Sequence, residues 1–315
     1  MARPRMAGQR ERAASYSVFS GSRFASKHHT TNYMTIPNAI TVDLEDWYQG
    51  IEQPFETWGR FEDRLHVGLD RLLDILDQSK VKATFFVLGW ISEKHPEIIR
   101  QIAGLGHEIG SHGYNHEKLY DMTPDSFVSF LDRAKKATED ATGQPVLGHR
   151  APYWTLTRRS LWAVEGLRKL GFTFDSSVYP DANWRYGIPG SPDRPYLLGD
   201  TGLIEFPASV FRFGPRRIGL GGAYFRIVPL SFTMAGIREI NAQYGPAMFY
   251  IHPWEFDPGH PFVRFRWRAM ATHYFNLRAT APRFKRMLSL ASFGTISATL
   301  AGLQAQAPFP KVILD

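Results

Sequence analysis

The chain has no cysteine among its 315 residues. Disulfides, thiolate metal ligands and cysteine nucleophiles are excluded, so any bound metal must rest on nitrogen and oxygen donors. A chain without cysteine suits the cytoplasm, which is the expected compartment. Long apolar runs are missing too. None approaches the roughly 20 residues of a membrane span, and the N-terminus lacks the apolar segment of a secretory signal peptide. Acidic residues are scarce at one end. Residues 1–33 hold Arg3, Arg5, Arg10, Arg12, Arg23 and Lys27 against Glu11 alone, and so carry five of the seven net positive charges. Charge confined to a tail does not mark a nucleic-acid binder. This tail is rich in Arg, Ser and Gly, shows no apolar periodicity and reads as disordered. Met34 stands just before the first patterned segment. Translation starting at Met34, or removal of a transit peptide, is therefore expected.

What remains, residues 34–315, has the apolar content of one globular domain. Strand and helix patterns alternate along it. Ala39–Val42 is a short apolar strand ending at Asp43, and Leu65, Leu69, Leu72, Leu73 and Leu76 then recur at helical spacing. "ATFFVLG" (83–89), "HEIGSH" (107–112), "VLGHRAP" (146–152) and "FTFDSS" (172–177) read as further strands. Helices start at Pro96, Thr123 and Thr157 between them. This alternation predicts a parallel sheet wrapped by helices. Residues 181–225, rich in Pro, Gly, Arg and aromatics, break the rhythm and read as an insertion over the site. Its Arg212, Arg216 and Arg217 are expected to reach the substrate groove. "AMFYIHPWEFDP" (247–258) returns to a strand, and about 260–315 reads as a basic C-terminal extension.

Polar residues gather where the strands end, the edge at which α/β folds build their sites. Asp43, His112, Arg150, Asp175 and His252 all fall there. His112 and His116 are four residues apart, so one helical turn would bring both rings to one face, a metal-ligating arrangement that still needs a third donor. Taken singly, each residue has an ordinary alternative. Asp43 and Asp46 could cap turns, Asp175 could form an Asx turn, and His252 could be a core histidine.

"TVDLEDW", "SHGYNH", "HRAPYW", "FDSS" and "FYIHPW", in this order, resemble the motifs of the polysaccharide deacetylase family, also called NodB-homology or carbohydrate esterase family 4. "GGAYFR" and "FYIHPWEFDP" look like the branch encoded with exopolysaccharide and exosortase loci. The resemblance implies a distorted (β/α)7-type barrel and a divalent metal, zinc first and cobalt as the alternative. It also implies hydrolytic N-deacetylation of an acetylated saccharide. Position by position, Asp43 matches the general base and Arg150 the arginine that holds it. His112 and His116 match the metal histidines. Tyr153 matches the residue whose backbone N–H faces the oxyanion. Asp175 matches the aspartate that tunes the catalytic histidine, and His252 matches that histidine, the general acid. Trp154 and Trp254 stand where a sugar ring would stack. The metal carboxylate is Glu45 or Asp46, and strand alternation places Glu45 on the side of Asp43. A lipid-diphosphate-linked or acidic saccharide is the expected partner, with neither nucleic acid nor a membrane span. O-acetyl ester hydrolysis, cyclic-amide hydrolysis, or sugar binding without catalysis are the alternatives.

Overall fold

The computed structural model describes residues 36–314, apart from residues 52, 183, 184, 215, 265 and 266. The basic tail expected over 1–33 lies outside the described residues, as does its start site. The strands are β1 (Asn38–Leu44), β2 (Thr84–Val87), β3 (Glu108–Ser111), β4 (Gly148–His149), β5 (Phe174–Asp175), β6 (Tyr196–Leu198) and β7 (Ile204–Glu205). They continue with β8 (Val210–Phe213), β9 (Arg216–Gly219), β10 (Met248–Ile251), β11 (Phe293–Gly294) and β12 (Lys311–Val312).

Seven of them run side by side and parallel in the order β10-β1-β2-β3-β4-β5-β7. Direct pairing between β7 and β10 is replaced by residues 208–221. There Met248 N–H donates to Ser209 Oγ at 2.8 Å and Tyr250 N–H to the Leu220 carbonyl at 3.2 Å. The result is the distorted (β/α)7 barrel that the motifs imply. β6 adds antiparallel to β7, and β8 pairs with β9 in a separate hairpin.

β1 (NAITVDL) is buried at every position, as a strand with both faces covered must be. Its neighbours are shorter and are held by the helices they feed. Thr123 caps the helix Pro124–Thr142 by accepting from Ser126 N–H, and Gly143 ends it in the left-handed region at φ 69°.

The 181–225 segment is more than an insertion. Ile204–Glu205 supplies β7, the seventh parallel strand. Two residues between Gly202 and Pro207 are too few to show a two-residue alternation, so the strand has no sequence signature.

The registers explain why the site lies where it does. Leu44 pairs with Val87, Val87 with Ser111, Ser111 with His149, His149 with Asp175, and Asp175 with Glu205. On the other side Val42 pairs with Ile251. Each next residue (Glu45, His112, Arg150, Ser176 and, beyond Ile251, His252) thus leaves its strand at nearly one level. Below them, the helix Leu65–Gln78 packs on the turn Pro253–Phe256 that follows His252. Gly68 allows this contact, since a Cβ there would lie 2.0 Å from the Pro253 carbonyl oxygen. Gly68→Ala is expected to lower stability by about 1–3 kcal/mol through overpacking. It should also reduce kcat, because the displaced turn carries His252. Thermal melts and single-point kinetics check both, and an unchanged melting temperature would count against the contact.

Candidate metal centre and active site

Glu45, His112 and His116 converge. Glu45 Oε1 lies 3.2 Å from His112 Nε2 and 2.9 Å from His116 Nε2, with all three side chains buried. His112 Nδ1 is 2.8 Å from the Arg150 carbonyl oxygen, which only accepts, so Nδ1 carries the proton. Nε2 is then the His112 nitrogen left to hold a cation, and it lies 3.2 Å from a carboxylate oxygen. Burial pulls the His116 imidazole below its usual range, which favours its neutral, ligating form. Burial pushes the Glu45 carboxyl up, but His116 and His112 outweigh it and hold the group well below the usual carboxylate range. Ligating atoms of the three lie within 4.8 Å of one another. Two imidazole nitrogens and one carboxylate fit a zinc-like ion with open positions for water and substrate.

The structure brings Glu45, and not Asp46, to the histidines. Asp46 turns the other way: Oδ1 accepts from Trp47 N–H at 2.7 Å, and Oδ2 accepts from Arg64 and Leu65 N–H at 2.8 and 3.1 Å. It therefore caps the helix that begins at Leu65, whose own Arg64 has no side-chain cap. Strand parity is the reason. Asp43 and Glu45 share a face, and Asp46 falls on the other.

Asp43 stands beside this cluster. Its Oδ1 accepts from Arg150 Nη1 at 2.6 Å, and its Oδ2 is 4.0 Å from His252 Nε2. Arg150 is 1% exposed. Its Nη1 also donates to Thr41 Oγ1, and its Nε and Nη2 donate to the carbonyl and Oγ of Ser176. Its guanidinium lies 4.2 Å from the Phe86 ring centroid and 4.5 Å from that of Trp154, a cation held by two aromatic faces.

Asp175 departs from its expected place. Its Oδ1 accepts from His149 Nδ1 and from Ser177 Oγ, both at 2.7 Å. Asp175 and His149 are register partners in β5 and β4, and His149 packs its ring against Phe127 and Phe172 on the helix side. The residue that follows, Ser176, points to Arg150 instead. Parity thus puts Asp175 on the wrong face to reach His252. Its reach to the site is indirect: Ser177 Oγ accepts from Ala151 N–H, next to Arg150.

The partner of His252 is Glu255. Glu255 Oε1 lies 2.8 Å from His252 Nδ1 and also accepts from His252 N–H at 3.1 Å. Its Oε2 accepts from Arg226 Nε at 2.6 Å, and Arg226 Nη1 donates to the carbonyls of His273 and Phe275. Glu255 is wholly buried and Arg226 nearly so. Burial pulls His252 down, but the Glu255 hydrogen bond and the Glu45, Glu255 and Asp43 charges together push it up to about 9. Nε2 therefore carries a proton at neutral pH and faces Asp43. Glu255 was findable in the sequence: Pro253 and an acid three residues after His252 have the spacing of a capping box. Arg226 offered no such signal.

These residues line one cavity of about 280 Å³. Trp154 and Trp254 form part of its wall, and Trp254 stacks on His252 with ring centroids 5.4 Å apart. Tyr153 also lines it, in the left-handed region at φ 54°, with its ring 4.3 Å from that of His116. Arg185, Tyr186, Gly222, Ala223, Thr272 and His273 complete the downstream side. Of the three arginines expected at the groove, Arg217 pairs with Asp193 and donates to the Pro180 carbonyl, Arg212 is exposed, and the side chain of Arg216 lies outside the description. Arg185 and Arg226 are the arginines at the cavity.

Two outcomes are expected from this geometry. Glu45→Gln should empty the metal site, whereas Asp46→Asn should keep the metal and cost about 1–2 kcal/mol of stability through its weakened backbone acceptors. Elemental analysis and thermal melts separate the two. His252 has a raised pKa, so its protonated form is lost as pH climbs through about 9. Glu255→Gln removes the bond that raises it and should shift the alkaline limb of kcat to lower pH with metal content intact. An unmoved limb would show that Glu255 does not govern His252.

Residues 57–174 match the family described as "Polysaccharide deacetylase", and residues 176–301 match one described as "Domain of unknown function (DUF3473)". The chain is 34% identical over 158 residues to a peptidoglycan deacetylase of Helicobacter pylori, covering 45% of this chain and 53% of that one. It is 36% identical over 141 residues to a peptidoglycan-N-acetylglucosamine deacetylase of Bacillus cereus, covering 44% and 48%. The chain thus spans about half the length of the curated relatives it matches. A crystal structure from Mycobacterium smegmatis, provisionally assigned as a polysaccharide deacetylase, is 26% identical. It has a TM-score of 0.59 and covers 89% of this chain and 94% of that one. The Puue allantoinase, at 14% identity and a TM-score of 0.56, shares the fold. The ordered motifs are seated on one barrel edge, and the segment 57–174 is the part of the chain that matches the polysaccharide deacetylase family.

Proposed function

We propose that the protein is a metal-dependent hydrolase that removes N-acetyl groups from an acetylated polysaccharide or its precursor. The observation that carries this reading is the convergence of Glu45, His112 and His116, with Glu45 Oε1 3.2 and 2.9 Å from the two Nε2 atoms, beside an Asp43–Arg150 pair and His252. A bound divalent cation, zinc first, would polarise the acetyl carbonyl and make water a better nucleophile. Asp43, held by Arg150 Nη1 at 2.6 Å, accepts the proton of the attacking water. The Tyr153 backbone N–H lies on the oxyanion side, and Trp154 and Trp254 bracket the sugar. His252 delivers its Nε2 proton to the departing nitrogen, so acetate and a free amine leave. Without that proton an amide C–N bond is a poor target, so a poised acid favours the amide over an ester.

The named activity of the Bacillus cereus relative makes an N-acetylglucosamine unit the first substrate to try. The branch resemblance of "FYIHPWEFDP" favours exopolysaccharide production in the cytoplasm, on a glycan that is polymeric or lipid-linked. No helix among the described residues is long and apolar enough to cross a membrane.

Acetate release is to be measured on N-acetylated oligosaccharides, a peptidoglycan fragment and an O-acetylated control, with chelator and metal add-back. Release from an N-acetylated substrate that is lost with chelator and restored by zinc or cobalt is expected. His252→Ala should lower it by about 10²–10⁴-fold with metal retained. Release only from the ester, or none from any saccharide, would overturn the reading.

A further inference from the structure

Ten large apolar side chains are exposed among the described residues, and six of them fall between Phe213 and Phe275. These are Phe213, Ile227, Phe232, Phe262, Trp267 and Phe275, with Phe262 64% and Trp267 70% exposed. Contacts link the segments that carry them. Phe213, at the end of β8, meets Phe232 with ring centroids 5.4 Å apart. Phe232 begins the helix that follows Ile227 by a short turn. The residue before Ile227, Arg226, binds the Phe275 carbonyl through Nη1, and its own carbonyl accepts from Asn276 Nδ2. Phe262 packs on Tyr274, with centroids 4.9 Å apart. Trp267 opens the helix Trp267–Tyr274.

This face borders the mouth of the cavity, because Ala223 and Arg226 from one helix and Thr272 and His273 from the other line it. It is also basic. From Val210 to Leu290 the sequence holds twelve Arg and Lys against Glu239, Glu255 and Asp257, and two of those acids are buried. Arg212, Arg264 and Arg278 stand exposed beside the apolar side chains, and among the described residues none of them has a carboxylate partner.

We infer that this face docks on an anionic lipid bilayer and holds the cavity mouth at the membrane surface. Aromatic and aliphatic side chains interspersed with arginines, without a spanning helix, are what an interfacial contact requires. Rings enter the headgroup boundary while guanidinium groups pair with lipid phosphates. A second copy of the chain fits less well, since a two-fold contact would set these arginines against each other. The inference rests on the surface and not on the deacetylase reading, so it can be tested whatever reaction the site performs.

The full chain is to be sedimented with vesicles of phosphatidylcholine alone and of phosphatidylcholine with phosphatidylglycerol, at low and at high salt. Binding to the anionic vesicles that weakens with salt is expected. The pair Phe232→Ser and Phe262→Ser should weaken it by about tenfold or more through lost apolar burial. The pair Arg264→Glu and Arg278→Glu should abolish the preference for anionic lipid. Both pairs should leave the melting temperature and the activity on a soluble oligosaccharide unchanged, so a folding defect in one pair leaves the other decisive. Failure of the wild type to bind anionic vesicles would overturn the inference, as would equal binding by both variant pairs. A wild-type dimer in sedimentation velocity that the variants dissolve would also overturn it, and would assign the face to self-association.

Discussion

The buried guanidinium of Arg150 is the constraint on which the site is built. A cation at 1% exposure survives only when every donor is answered and the charge is met. Here Asp43 meets the charge. Thr41, on the same strand, Ser176, after β5, and the Met248 sulfur take the remaining donors, and Phe86 and Trp154 lie close to the charge. The same residue's carbonyl fixes the tautomer of His112. Asp43, His112 and Trp154 are therefore positioned by a single side chain and its own backbone. Removing one partner of such a buried pair leaves an uncompensated charge, at a cost of about 3–5 kcal/mol. The arrangement tolerates little drift.

The barrel was legible in the sequence because its strand and helix patterns follow simple periods, and most of this constellation was legible through the resemblance of its ordered motifs to a known family. Strand runs ending in polar residues marked the barrel edge, and five motifs in order marked Asp43, His112, His116, Arg150 and His252. The choice between Glu45 and Asp46 was half legible: parity favoured Glu45, but only coordinates show that Asp46 is occupied by the amides of Trp47, Arg64 and Leu65. Asp175 shows the limit of matching motifs by order. A one-residue difference in parity sends it to His149, and motif order carries no information about parity. β7 was illegible because two residues cannot display a period.

The downstream half of the chain, which matches a family without an assigned role, closes the cavity. It supplies Arg185, Tyr186, Ala223, Thr272 and His273 to the wall, together with the Glu255 and Arg226 that stand behind His252. The upstream half carries Glu45, His112, His116 and Asp43, so both halves line the cavity.

Arg226 touches two places at once. Its Nε holds the carboxylate that orients His252, and its Nη1 holds the last carbonyls of the surface helix Trp267–Tyr274 and its exit. The rim of the cavity and His252 are thus joined through Arg226 and Glu255. A tilt of that helix reaches Nε2 through side chains alone, and a displacement near 1 Å at a reacting group is worth about a hundredfold in rate. Whatever presses on the rim therefore adjusts the aim of His252.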